Sequence, residues 1–257
     1  FADNQAVTGG GAYRGLFYDC LFTNNAAEGG TSGNGGGFYM PVNFTPASTL
    51  YRCRFVDNRA SNHGGGAYGS ATYYSCVFAG NAAVANGGGV NDGVLESCSV
   101  LGNSGAYGGG IYSATAYYSL IYYNSAQFGD DNTRGGTLWG CCSYPSRYGV
   151  TVTDPPLVAG FRNPHLMAGS PCIDTGDNRP WMTGAQALDI DGESRQAGLA
   201  VDIGADEYDA GALAGPLSVF VSADYVTFGA TYAPEFRAEV VGLAETLVWD
   251  FGDGAGA

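Results

Sequence analysis

Leu50-Tyr51-Arg52-Cys53-Arg54-Phe55-Val56-Asp57-Asn58 is the stretch whose reading decides the fold. Tyr51, Cys53 and Phe55 fall on one face and Arg52 and Arg54 on the other, which is the period of an extended strand. The pattern returns as Cys20-Leu21-Phe22-Thr23-Asn24-Asn25, Cys76-Val77-Phe78-Ala79-Gly80-Asn81, Cys98-Ser99-Val100-Leu101-Gly102-Asn103 and Ser119-Leu120-Ile121-Tyr122-Tyr123-Asn124. Asn stands five residues after the Cys column each time, and from Asn4 the Asn spacings are 21, 33, 23, 22 and 21. Gly triplets begin at Gly9, Gly35, Gly64, Gly87 and Gly108. Short strand-like runs punctuated by Gly and Asn at this period describe one coil of a right-handed parallel β-helix, with about three strands per coil. Leucine-rich repeats share the period, but their L-x-x-L-x-L signature is missing.

Stacking assigns a role to each column. Equivalent residues of successive coils lie about 4.8 Å apart, so six coils make a rod about 30 Å long. Phe1, Phe22, Phe55 and Phe78, followed by Val100 and Ile121, are expected to fill the interior. The Asn column suits a turn, where Asn tolerates left-handed backbone angles. The Gly triplets suit close approach between coils. The Cys column suits buried free thiols, since stacked parallel side chains point the same way. The one long interval holds two insertions, Glu28–Asn34 and Met40–Ser48, expected as projecting loops.

Composition agrees and excludes some partners. The chain has 43 Gly and 18 Tyr among 257 residues, without the G-X-Y period of collagen. Ten Arg and no Lys against 24 acids give a net charge of −14, so no basic face is available for nucleic acid. No apolar run is long enough to span a membrane. Residues 1–145 carry eight acids and five Arg, whereas 146–257 carry sixteen acids and five Arg, which places a boundary near 145.

Beyond that boundary the sequence resembles a known family. Gly169-Ser170-Pro171-Cys172-Ile173-Asp174-Thr175-Gly176-Asp177, Asp189-Ile190-Asp191-Gly192-Glu193-Ser194-Arg195 and Val201-Asp202-Ile203-Gly204-Ala205-Asp206-Glu207-Tyr208 are similar to the closing segment of choice-of-anchor Q type β-helix proteins. With the Gly-rich coils the resemblance covers residues 1–208. It implies a module of a large secreted bacterial surface protein, as in planctomycetes and their relatives. An open coil end exposes strand edges and apolar interior, so residues 146–210 are expected to cap it. Val248-Trp249-Asp250-Phe251-Gly252-Asp253-Gly254 resembles the signature of PKD-type β-sandwiches, so 211–257 is expected to be part of such a domain. Phe1-Ala2-Asp3-Asn4 aligns with Phe22-Thr23-Asn24-Asn25, so the pattern is entered partway through a coil.

The leading functional expectation is a non-catalytic extracellular scaffold or adhesin-like module at the cell surface. It would act with adjoining domains of the same chain and bind a polysaccharide or other surface component. Tyr73-Tyr74, Tyr117-Tyr118 and Tyr122-Tyr123 offer rings for sugars, though alternation turns about half of them inward. The alternative is a β-helix carbohydrate-active enzyme, a polysaccharide lyase or glycoside hydrolase. Its chemistry needs clustered carboxylates, whereas Asp19, Asp57, Asp92, Glu96, Asp130 and Asp131 are scattered and Arg52 and Arg54 are the one close basic pair in the coils. His63 and His165 lie far apart and make no Ser-His-Asp grouping. No cofactor is required, but Asp189, Asp191 and Glu193, with Asp174 or Asp177 nearby, offer oxygen ligands for calcium, at a spacing short of an EF-hand. A disulfide from Cys172 to Cys141 or Cys142 would clamp the cap to the last coil.

Overall fold

The computed structural model describes residues 1–208 except 43, 147 and 179–182, together with the backbone of two strands, Ser218–Ala223 and Phe236–Val241. Residues 1–208 form one compact unit and 209–257 a second. In the second unit the two strands pair antiparallel, and the PKD-like stretch 248–254 lies outside the described residues.

Residues 1–152 are a parallel β-helix of six coils, all-β as expected, but with four strands per coil instead of three. One coil reads Ala67–Tyr68, Thr72–Tyr74, Val77–Ala79 and Ala82–Ala83. Their equivalents stack in register into four parallel ladders, here the first to fourth in that order. Two-residue strands carry too little alternation to be read from sequence, which hid the extra side.

The interior is built as the columns predict except at Phe1, which stacks on Phe22 at 4.7 Å but is half exposed. Phe22, Phe55 and Phe78 are buried and stack face to face at 4.7 and 4.6 Å, with Val100 and Ile121 continuing the line. Met40, expected in a projecting loop, is fully buried in this core. The Asn column corrects one expectation. The left-handed residue is the one before each Asn: Asp3, Asn24, Asp57, Gly80, Gly102 and Tyr123 all have φ between 53° and 65°. The Asn side chains point inward and form their own ladder. Each Nδ2 donates to Oδ1 of the next Asn, from Asn25 through Asn58, Asn81 and Asn103 to Asn124, at 2.9–3.0 Å. Each ladder Asn also donates to the carbonyl of the coil behind, as Asn81 does to Phe55 at 2.9 Å. Asn132 ends the run and donates to Tyr144.

Residues after 152 do not sit where a cap would. At that end the strand Val150–Val152 adds a seventh rung to the third ladder, and Val150 packs against the coil core. The chain then runs back along the outer face of that ladder. Tyr122 and Tyr123 of coil five hold the carbonyls of Thr153 and Pro156. Tyr118 accepts from Gly204, Ser99 of coil four from Ala205, and Ser75 of coil three donates to Leu188. Arg52 and Arg54 of coil two bind Ala185 and Asp191. The cause is the outward face of the third ladder, where Val77, Ala79, Leu101, Leu120 and Cys142 are apolar and must be covered. Leu166, Cys172, Ile190, Ile203 and Ala205 cover them.

Candidate functional site

The described residues of the lateral segment 153–208 have almost no regular structure, so their backbone N–H groups need other acceptors. The acids of the family-like motifs supply them. Asp189 is fully buried and accepts from the N–H of Asp191, Glu193 and Glu207. Asp202 accepts from Asp174 and Tyr208, Asp206 from Leu166, and Glu207 from Ala197 and Asp202. The three residues expected to hold calcium are thus divided. Asp189 serves the backbone, Asp191 turns to Arg54 and His165, and Glu193 is half-buried, its carbonyl accepting from the Asp189 N–H.

Burial raises the carboxyl pKa of Asp189 and Asp202 and lifts Asp206 to about 6 and Glu207 to about 7, against the pull of the N–H donors and of Arg195 or His165. A raised carboxyl binds more protons in the folded state than in the unfolded one at pH between about 4.5 and 7. Stability is therefore gained on acidification through that window and lost as pH rises. At about 1.4 kcal/mol per pKa unit, the melting temperature in EDTA should rise by about 5–10 °C from pH 8 to pH 5. A thermal scan showing a fall over that range would contradict it.

The second ladder carries a different surface. Its third position faces outward in every coil and reads Tyr18, Tyr51, Tyr74, Glu96, Tyr117 and Trp139. Tyr18, Tyr51 and Tyr74 stack at 4.8 and 5.0 Å, nearly parallel. Thr49, Thr72, Thr115 and Thr137 run beside them. Of the tyrosines expected to meet sugars, Tyr74 and Tyr117 lie on this face, while Tyr73 is in the core, Tyr118 is buried and Tyr122 and Tyr123 brace the lateral segment.

The column ends in a groove of about 410 Å³ between the last coil and the lateral segment. Trp139 and Tyr148 stand on it as exposed rings 6.1 Å apart and edge to face. Thr151, Thr175 and Asp177 supply polar atoms, and the Tyr118 hydroxyl donates to Asp177 at 3.3 Å. Trp139, Tyr148 and Asp177 as a group escape a reading of the repeat, although Trp139 continues the outward Tyr column at the same period. A larger hollow of about 610 Å³ lies at coil one, but its Ser48 hydroxyl is already engaged with Gly15 and Met40.

The coil carboxylates do not converge. Asp19 pairs with Arg52, Asp57 with Arg162 and Asp130 with Arg134, while Asp131 accepts from the Ala126 N–H. Asp92 lies in the field of His63, and Glu96 belongs to the outward column. All seven cysteines are free thiols. Cys141 points into the coil core, whereas Cys142 and Cys172 share the cluster under the lateral segment, so the second of the two expected partners is the one that faces Cys172. Among the described residues no helix is long and apolar enough to cross a membrane. No family model, curated protein or solved structure matches this chain.

Proposed function

We propose that this chain is a non-catalytic, adhesin-like rod that binds a neutral glycan along its second ladder and in the groove at the ladder's end. The groove carries the proposal: two exposed aromatic rings stand over hydroxyl and carboxylate groups, the combination that grips the apolar face and hydroxyls of a sugar. The net charge of −14 disfavours a polyanionic glycan. The pairing of Asp19, Asp57 and Asp130 with arginines weighs against the enzyme reading, which needs two free carboxylates facing one bond. Residence at a bacterial cell surface, within a longer protein, rests on the resemblance of the 169–208 motifs.

Titration calorimetry against neutral cello-, xylo- and manno-oligosaccharides tests the proposal. Trp139→Ala should weaken the bound ligand by about 1–2 kcal/mol, roughly 5- to 30-fold, without lowering the melting temperature, because the ring is half exposed. Release of new reducing ends or unsaturated uronides from any polysaccharide would replace this reading with the enzymatic one.

A further inference from the structure

We infer that His165, Asp191 and Asp206 form a site for a divalent transition-metal ion where the lateral segment meets the coils. One ligand atom from each lies within 4.8 Å of the other two. His165 Nε2 contacts an Asp191 oxygen, and Asp206 Oδ1 is 3.8 Å from the same nitrogen. The remaining atom of each group is held from behind. Asn163 Oδ1 meets His165 Nδ1, Arg54 Nη2 donates to Asp191 Oδ1 at 2.9 Å, and the Leu166 N–H donates to Asp206 Oδ2 at 2.7 Å. Metal ligands are oriented in this way, one atom toward the ion and the other fixed by a hydrogen bond.

Asp206 Oδ1 is the most loosely held of the three ligand atoms. Its side chain is 6% exposed, and 3.8 Å from His165 is too long for a hydrogen bond. Among the described residues no donor reaches this oxygen, which faces the shared centre. The imidazole is this oxygen's charged neighbour, and a cation between it, Asp191 and the imidazole would draw the three donor atoms to one centre.

The donor set selects the ion. One imidazole nitrogen with two carboxylates suits zinc and its first-row neighbours, whereas calcium and magnesium take oxygen ligands throughout. With Arg54 beside Asp191, the two carboxylates retain one net negative charge. The ion would join turns 165, 191 and 206 to each other and, through Arg54, to coil two. The site is separate from the aromatic groove and stands or falls without it.

The test is calorimetric titration of EDTA-treated, desalted full chain with ZnCl₂, and in parallel with CaCl₂ and MgCl₂. One equivalent of zinc should bind and raise the melting temperature, while calcium and magnesium do neither. His165→Gln and Asp206→Asn should each weaken zinc by at least about tenfold. Asp206→Asn keeps an oxygen for the Leu166 N–H, and circular dichroism checks that both variants fold. Two readouts need no variant. In ¹⁵N-histidine-labelled protein, zinc should shift the His165 ring nitrogens and leave His63 unmoved. Co²⁺ should give a visible spectrum without a thiolate charge-transfer band. No zinc binding below about 100 μM, equal binding in both variants, or a thiolate band placing the ion on cysteine would each overturn the assignment.

Discussion

Gly88→Ala is expected to destabilise the rod by about 4 kcal/mol or more, lowering its melting temperature by about 10 °C. A Cβ at Gly88 would lie 2.2 Å from the Ser104 carbonyl oxygen and 2.4 Å from that of Gly109. Both atoms are backbone, so no rotamer change relieves the clash, and coils cannot separate without breaking ladder hydrogen bonds. The equivalent positions Gly36 and Gly65 meet the same contact with the next coil at 2.4 Å. Gly30→Ala is the control. Its φ of +59° penalises a side chain by about 1–2 kcal/mol, but a Cβ there meets nothing within 4 Å. Thermal unfolding followed by circular dichroism compares the two. Equal losses would mean that the approach between coils at the triplets is slack, since the left-handed angle of this triplet belongs to Gly87 and not to Gly88.

Asn81→Leu should cost about 4–6 kcal/mol although leucine is apolar and of similar volume. Asn81 Oδ1 accepts from the N–H and Nδ2 of Asn58, and its Nδ2 donates to the Phe55 carbonyl and to Asn103. Leucine strands the fully desolvated Asn58 N–H and takes one donor from the Phe55 carbonyl, leaving it the ladder bond to the next coil. The penalty comes from leaving partners unpaired more than from the bonds lost. A second substitution, Asn58→Leu, should then cost less than it does alone, since the Asn58 Nδ2 to Asn81 Oδ1 bond that it removes is already broken. Strict additivity of the two in denaturant unfolding would show that the column works as independent turns.

Both predictions rest on columns legible in the sequence, but not at the same depth. Gly at a fixed place in every coil announces close approach, because no other residue lacks a Cβ. Asn announces only that something polar recurs. Its expected turn role went to the preceding residue, since Asp57, Gly80 and Tyr123 take the left-handed angle while Asn58, Asn81 and Asn124 bond inside. Sequence spacing cannot separate two neighbours whose roles are exchanged. The lateral segment had a signal that a cap reading passes over. Val77-Phe78-Ala79 and Leu120-Ile121 are apolar at successive positions, which marks strands buried on both faces and so demands a cover.

The six-coil stack was determined by the sequence alone, because a repeat of about one coil's length leaves equivalent residues one geometry in which all can pair with the next copy. Tertiary structure alone decided where residues 153–208 lie, and with that which acids meet which partners. Asp191 reaches Arg54 across 137 residues and Asp206 meets His165 across 41. In a segment whose described residues hold almost no strand or helix, no period relates those positions. Their meeting is set by the shape of the apolar face they cover, which exists only once the coils have stacked.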